Sequence, residues 1–463
     1  MTKELYYSSI NELNELYINK KTSPTEVTKV FLERIKKHDS DLNSFINVYE
    51  NDAIEDAKEA EKYISNKNEN KLIGIPIGLK DLVDVKGKIT TAGSKILEGN
   101  IADKNAKITE DFINSKSVIL GKTNLVEFAF GTLGINTTTK TCRNPWNMAK
   151  VPGGSSSGSA VSVSSGLTTF AIGTDTGGSV RMPASLCGIT GFKPTYGAVS
   201  RVGVKDLSWT MDHVGPMARS AEDCLEVMKV ISGHDARDKY SIDLSKDRFN
   251  IEKSIDREKI KIGIPKQYFF DDVDSQILNR VNKSIEILKD LGYKLVEVDL
   301  PFVSNGRNIN VGVLIPEAIS IHRQFLKKSE LYTKTVINRL LGGIGVTADE
   351  YLDASRAMSA FNYQMSAKMK DIDALLTPTV PVIAPNIEDS YDPNTLEANS
   401  MGRFTGVFNL TGQPSISIPC GLTNENLPVG LMISGKLKED NKILNIAIDF
   451  QNNTDFHNSI PKF

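Results

Sequence analysis

Two glycine pairs, each followed directly by serine, lie between Pro152 and Pro183. The segment Gly153–Ser157 reads GGSSS, and the segment Thr174–Ser179 reads TDTGGS. Glycine allows positive φ angles and close backbone approach, so each pair predicts a shaped loop that presents serine hydroxyl groups. Hydroxyl groups held in this way can act as nucleophiles or carry protons.

Ser179 is the candidate nucleophile in the second loop. An apolar run at 167–172 precedes it and a helix-compatible segment follows it, and this order of strand, turn and helix exposes a hydroxyl group. Successive N–H groups of a Gly-Gly turn can converge on an oxyanion. An ordinary tight turn without chemistry is the alternative. The candidate oxyanion donors are the backbone N–H groups of Thr176, Gly177, Gly178 and Ser179.

Lys80 ends the apolar segment GIPIGLK and is the candidate base. Desolvation disfavours the ammonium form, so it lowers a lysine pKa from about 10.4 toward neutrality, where lysine can accept a proton. The alternative is an ion pair of Lys80 with Asp81 or Asp84. The five histidines do not have the spacing of metal ligands, and the sequence contains no GxSxG motif of a serine-histidine triad. A histidine base for the serines is therefore not predicted.

Composition limits the classes of function. The formal net charge is -2, with 40% hydrophobic and 24% charged residues, which gives no bulk attraction to nucleic acid. No run of about 18 apolar residues and no leader pattern occurs, so a membrane protein is not expected. We expect a cytoplasmic protein without metal or cofactor, because the four cysteines form no CxxC spacing. These cysteines are Cys142, Cys187, Cys224 and Cys420.

Helical patterns alternate with short apolar runs, which predicts an α/β fold with a parallel or mixed sheet. Small residues at 158–166 predict a helix packed beneath the sheet, with a flexible linker as the alternative. The charged segment 234–258 predicts an exposed excursion. Further helical patterns cover 24–38, 52–64, 276–291 and much of 313–371. Strands are predicted at 72–79, 117–120, 167–172, 261–264, 294–298, 374–379, 415–418 and 429–433.

Three motifs resemble the core of the amidase signature enzymes in order and spacing: GIPIGLKD, VPGGSSSGSA and GTDTGGSVRMPASLCGITGFKPT. The resemblance continues through GKTNLVEFAFG, RNPWN and FNLTGQPSISIPCG to LPVGLMISG, and leaves only the region 234–258 unmatched. It implies one large α/β domain over residues 1–463, with a mixed twisted β-sheet flanked by α-helices.

The same resemblance implies a serine, serine, lysine triad, here Ser179, Ser155 and Lys80. By analogy, Ser179 attacks an amide carbonyl, Ser155 relays its proton to neutral Lys80, and water resolves the acyl-enzyme. The resemblance also implies a cis peptide bond between Gly154 and Ser155. No metal and no cofactor take part in this chemistry.

The resemblance places the acyl pocket around the Phe128–Gly134 loop and the segments 310–365 and 395–410. The residues expected to contact substrate are Phe130, Gly131, Thr132, Ser156 and Arg403. The expected ligand is a small-molecule amide, with neither nucleic acid nor membrane as a direct partner. A homodimer is left open.

Two functions are compatible with this triad. The first is a hydrolase that cleaves a carboxylic acid amide to acid and ammonia or amine. The alternative is the glutaminase component of a tRNA-dependent amidotransferase, its A subunit, which would require partner subunits. Such glutaminase components generally carry an acidic residue a few positions before the Asn-Leu-x-Gly turn, where it binds the amino group of glutamine. Here residues 400–405 read SMGRFT, without a carboxylate, and Arg403 would repel an amine. This difference favours the hydrolase. A non-catalytic relative is a third class, and the intact triad argues against it.

Overall fold

Eleven strands form one mixed sheet in the computed structural model, which describes residues 4–65, 70–244, 248–252, 255–392 and 395–463. The strands are β1 (Phe45–Val48), β2 (Pro76–Lys80), β3 (Val118–Thr123), β4 (Phe170–Asp175), β5 (Thr190–Lys193), β6 (His213–Ala218), β7 (Lys261–Pro265), β8 (Lys294–Val298), β9 (Ala374–Pro378), β10 (Ser415–Leu422) and β11 (Pro428–Gly435). Their order across the sheet is β1-β3-β2-β4-β6-β5-β10-β11-β9-β7-β8. The α/β fold with a large mixed sheet is confirmed.

Helices flank this sheet. They are α1 (Ile10–Ile18), α2 (Pro24–Leu42), α3 (Glu50–Glu61), α4 (Lys107–Asn114), α5 (Ser157–Ser164), α6 (Arg181–Cys187), α7 (Ala221–Ile231), α8 (Ser275–Asp290), α9 (Gly306–His322), α10 (Lys334–Gly343), α11 (Ala348–Met369), α12 (Leu396–Ser400), α13 (Thr405–Leu410) and α14 (Asp440–Asn452). Ser23 and Glu26 cap the start of α2 reciprocally, as the sequence pattern indicates. Within the described ranges, the helices include none that is both long and apolar enough to cross a bilayer.

The parallel part of the sheet brings the candidate residues together. Strand β2 runs parallel to both β3 and β4. Lys80 is the last residue of β2, and Asp175 is the last residue of β4, immediately before the turn with Ser179. Because the carboxyl ends of neighbouring parallel strands meet at one edge of a sheet, the lysine and the serine turn are neighbours.

Helix α5 packs tightly against the backbone below this edge. All eight of its residues are buried. A Cβ atom on Gly158 would lie 2.3 Å from both Asn124 N and Ser44 O, so only glycine fits there without a shift of the backbone. The predicted helix is therefore observed, and the alternative of a flexible linker is wrong.

The structure contains three strands that the sequence patterns do not predict, namely β1, β5 and β6. Strand β6 lies between β4 and β5, although Gly215 and Pro216 weaken its strand pattern; Pro216 pairs with Ile172. In the segment 234–258, residues 245–247 and 253–254 lie outside the described residues. Leu244 and Phe249 of this segment are buried in the main core, so these two side chains anchor it.

Candidate active site

Lys80 is completely buried at the end of β2 and contacts three hydroxyl groups. Its Nζ atom lies 2.8 Å from Ser155 Oγ, 2.9 Å from Ser156 Oγ and 2.7 Å from Thr174 Oγ1. Ser155 and Ser156 precede α5, whereas Thr174 belongs to β4. The amine is thus held between the first serine loop and the neighbouring strand.

The two carboxylates next to Lys80 in sequence pair with other lysines. Asp81 Oδ1 lies 2.7 Å from Lys122 Nζ, and both side chains are fully buried. Asp84 Oδ2 lies 2.9 Å from Lys205 Nζ. Asp81 follows the last residue of β2, and its carboxylate contacts Lys122 instead of Lys80. The ion-pair alternative for Lys80 is therefore wrong.

Burial lowers the pKa of Lys80, whereas the negative charges of Asp175 and Asp212 raise it, and the resulting pKa is about 7. Desolvation disfavours the ammonium form more than these carboxylates favour it. A substantial fraction of Lys80 is therefore a neutral amine near neutral pH, and this form can accept a proton.

The hydrogen bonds around Lys80 are compatible with that neutral form. The Ser156 hydroxyl group donates to the Thr174 carbonyl oxygen at 3.1 Å, so toward Lys80 it acts as an acceptor. A neutral amine has two N–H donors and one lone pair. With the donors directed at Ser156 and Thr174, the lone pair is available to the hydroxyl proton of Ser155.

The two serine loops are in contact. The Gly154–Ser155 peptide bond is cis, as the resemblance implies. The Ser156 N–H donates to the Ser179 carbonyl oxygen at 3.3 Å. Ser179 is 6% exposed and lines a cavity, and in the described part of the chain its hydroxyl group has no hydrogen-bond partner. The structure thus brings Lys80 and Ser155 into direct contact and places Ser179 beside them, without a hydrogen bond between the two serine side chains.

Asp175 fixes the turn that carries Ser179. Its carboxylate accepts hydrogen bonds from the N–H groups of Gly178 at 2.8 Å and Val180 at 3.1 Å. The Arg181 guanidinium donates to the same carboxylate at 3.0 and 2.9 Å, and Asn409 Nδ2 donates at 2.8 Å. Although burial opposes ionisation, Arg181 holds the pKa of Asp175 below its usual range. The turn is therefore built around a buried charge.

This arrangement corrects the predicted set of oxyanion donors. The N–H group of Gly178 is occupied by Asp175, so it does not point to the cavity. A Cβ atom on Gly178 would lie 2.1 Å from Thr405 Oγ1, so the close packing against Thr405 requires a residue without a side chain at this position. Among the described residues, no acceptor is found for the N–H groups of Thr176, Gly177 and Ser179. These three remain candidate donors.

The cavity beside Ser179 has a volume of about 230 Å³. It is lined by Phe130, Gly131 and Thr132, for which the family resemblance implies contact with the substrate. Ser156 does not line it, because this side chain is directed at Lys80 and Thr174 beneath the cavity. The structure therefore places Ser156 beneath the cavity and not in its wall.

Arg403 is also absent from the cavity wall. Its guanidinium donates to the carbonyl oxygens of Tyr268 and Asp271, and its Nη1 atom lies 3.9 Å from Asp272 Oδ2. The side chain packs over the Phe404 ring instead of facing Ser179. Proximity in sequence to the Asn-Leu-x-Gly turn suggested a pocket position, but the guanidinium turns toward the loop after β7.

Sequence analysis missed the polar groups that do line the cavity. Arg307 and Asn310 come from α9, and Arg339 comes from α10. These residues lie within helical patterns without a recognisable motif. The expectation that residues 310–365 shape the pocket includes Asn310 and Arg339 but not Arg307.

Fold and site together define an α/β protein with a buried lysine between serine hydroxyl groups. The family model Amidase matches residues 26–444, and the chain therefore belongs to the amidase signature family. The chain is 35% identical to the A subunit of the glutamyl-tRNA(Gln) amidotransferase of Thermoanaerobacter pseudethanolicus. The alignment covers 98% of this chain and 98% of the relative.

Solved structures show the same fold. A crystal structure of the glutamyl-tRNA(Gln) amidotransferase A subunit from Thermotoga maritima superposes with a TM-score of 0.82 at 31% identity, covering 98% of this chain and 96% of the other. A crystal structure of an amidase superposes with a TM-score of 0.86 at 28% identity, covering 96% and 100%. The family is thus represented among the similar proteins both by an amidase and by amidotransferase subunits.

Proposed function

We propose that the protein cleaves the C–N bond of a carboxylic acid amide through an acyl-enzyme formed on Ser179. The observation that carries this proposal is the 2.8 Å contact between Lys80 Nζ and Ser155 Oγ. Among the described residues, no carboxylate forms an ion pair with Lys80. A buried amine with a substantial neutral fraction near neutral pH is a base suited to activating a hydroxyl group.

The proposed reaction begins when Ser179 Oγ attacks the amide carbonyl carbon. The Ser179 proton passes to Ser155 Oγ while the Ser155 proton passes to Lys80 Nζ. The tetrahedral oxyanion is stabilised by the available N–H groups of the turn. The relay then returns the proton to the leaving nitrogen as the C–N bond breaks, which leaves the acyl group on Ser179. Water attacks this ester by the same relay and releases the acid.

Two candidate substrates share this chemistry. The names of the similar curated proteins favour glutamine, hydrolysed by the glutaminase component of an amidotransferase that works with partner subunits. The cavity favours a hydrolase of a different amide, since neither aspartate nor glutamate is among its described lining residues to bind the ammonium group of glutamine. We propose the hydrolase on this observation and retain the amidotransferase glutaminase as the second candidate.

The test is ammonia release by the purified chain alone over glutamine, asparagine, short aliphatic amides and aryl amides. The hydrolase predicts turnover of a non-amino-acid amide that exceeds turnover of glutamine and disappears in Ser179→Ala. Glutaminase activity that arises only when the other components of an amidotransferase are added would instead establish the second candidate.

A further inference from the structure

Arg339 brings a positive charge to the cavity wall, and none of the described carboxylates forms an ion pair with it. Its Nη1 atom donates to the Phe130 carbonyl oxygen at 2.6 Å, and its Cζ atom lies 5.6 Å from the centre of the Phe130 ring. These contacts hold the guanidinium beside Gly131, where a Cβ atom would lie 3.4 Å from Nη1. For the other N–H groups of Arg339, the described residues provide no acceptor.

Burial lowers the pKa of Arg339, and no carboxylate in the described part of the chain opposes this effect. The cost of desolvating a cation is usually offset by an anion. Arg403 illustrates the usual case in this chain, because it lies near Asp272. Arg339 has one carbonyl acceptor among the described residues and lines the cavity beside Ser179, which leaves room there for an anion supplied by a ligand.

The remainder of the wall supports the same conclusion. Arg307 adds a second guanidinium group, which donates to Asn399 Oδ1 at 3.2 Å. Apolar side chains of α9, namely Val311, Leu314 and Ile315, line the same cavity. The described wall therefore combines cations and a short apolar surface, without an anionic side chain.

We propose that this cavity binds a carboxylate carried by the acyl part of the substrate, so that the substrate is the monoamide of a dicarboxylic acid. This inference rests on the proposed function, since the carboxylate is placed relative to an amide that Ser179 attacks. Arg339 binds the carboxylate, Arg307 contributes charge at the rim, and the apolar residues contact the methylene groups between the two ends of the substrate.

The same wall disfavours an amino group on that chain. An ammonium group beside two guanidinium groups is repelled, and no described carboxylate of the wall offsets this repulsion. Glutaramate, which is glutamine without its amino group, therefore binds better than glutamine. Valeramide, in which a methyl group replaces the carboxylate of glutaramate, binds less well than glutaramate.

Calorimetric titration of the Ser179→Ala protein with glutaramate, valeramide and glutamine tests the site without requiring turnover. We expect glutaramate to bind about tenfold or more tightly than the other two, as for a charge-assisted contact with arginine. Succinamate and butyramide form a second matched pair of shorter ligands, and the proposal requires the preference for the anionic member in at least one pair.

Arginine variants on the Ser179→Ala background identify the group responsible. Arg339→Gln keeps an N–H donor for the Phe130 carbonyl oxygen but removes the charge, and it should abolish the preference for the anionic ligand. Arg307→Gln should reduce the preference in part. Arg403→Gln is the matched control outside the cavity and should leave the preference unchanged.

Equal binding of the charged and neutral members of both pairs would overturn the proposal, as would a preference that survives Arg339→Gln. Failure of the proposed function has a different signature. In that case the anionic ligand still binds through Arg339, but the protein with Ser179 intact releases no ammonia from it. Turnover of neutral amides without any preference for an anion would support the function and reject the carboxylate site.

Discussion

Asp175 and Arg181 form a fully buried ion pair across the turn that carries Ser179, with Oδ1 and Nη2 2.9 Å apart. The pair links the end of β4 to the start of α6. Asn409 completes it from α13, because its side-chain amide donates to Asp175 and its side-chain oxygen accepts from Arg181 at 2.8 Å. The position of Ser179 therefore depends on a charge pair as well as on glycine.

Replacing Asp175 by Asn should destabilise the protein severely. The substitution leaves the buried Arg181 guanidinium without its counter-charge, a change that typically costs about 3 to 5 kcal/mol. We expect a lower urea midpoint and loss of activity. Asp353→Asn, which alters an exposed ion pair on α11, is the matched control and should stay within about 0.5 kcal/mol. Equal midpoints for the two variants would contradict the structural role of Asp175.

Replacing Ser179 by Ala should abolish amide hydrolysis, because no acyl-enzyme can form. We expect kcat to fall by at least about 10³-fold, while circular dichroism and the melting temperature remain those of the native protein. Ser185→Ala is a suitable control, because Ser185 is buried on α6 and its hydroxyl group has no partner in the described structure. Undiminished turnover by Ser179→Ala would remove this residue as the nucleophile.

The activity should depend on the neutral form of Lys80. Since burial lowers the pKa of Lys80 to about 7, the amine is protonated and inactive in acid and becomes a base as the pH rises through that value. Log kcat/KM should rise with unit slope below pH of about 7 and level off above it. Lys80→Met should be nearly inactive throughout. A profile that is flat from about pH 5 to 9 would contradict the role of Lys80.

Asp212 should tune that pH dependence from outside the triad. Its carboxylate accepts hydrogen bonds from the N–H groups of Leu207 and Ser208, and its negative charge raises the pKa of Lys80. Asp212→Asn removes the charge, so the pKa of Lys80 should fall and the acidic limb should move to lower pH by up to about one unit. A shift to higher pH would show that Asp212 does not act on Lys80 through its charge.

A matched pair of glycine substitutions tests the packing below the site. Gly158→Ala forces a methyl group against the backbone of Asn124 and Ser44 and should cost about 1 to 3 kcal/mol. Gly342→Ala lies in α10, where no described atom is within 4 Å of the added atom, and it should be neutral or stabilising by about 0.5 to 1 kcal/mol. Denaturant unfolding measures both. Similar midpoints would show that α5 can move away from its neighbours.

The sequence predicts those features that depend on local pattern. An apolar strand ending in Lys80 and two Gly-Gly-Ser loops indicate the participants, and the alternation of helices and strands indicates the sheet. The contact between Lys80 and Ser155 spans 75 residues. The contact between Lys80 and Thr174 follows from the parallel neighbours β2 and β4, whose pairing a single sequence does not reveal.

Other features depend on distant partners. The Gly178 N–H donates to Asp175 instead of facing the cavity. The orientation of Asp175 depends in turn on Arg181 and Asn409, which are 228 residues apart in the sequence. The direction of the Arg403 side chain likewise depends on carbonyl groups of Tyr268 and Asp271, more than a hundred positions earlier. Such long-range hydrogen bonds leave no periodic signal in the sequence.

The unequal burial of the helices has a consequence for the adaptability of the protein. All residues of α5 and α6, next to the two serine loops, are buried, whereas only five of the 17 residues of α9 are. Substitutions at exposed positions usually change stability by only about 0.5 kcal/mol. New substrate preferences can therefore evolve, or be engineered, on α9 and α10 at little risk to folding, while the reacting groups stay on a part of the molecule that tolerates almost no change.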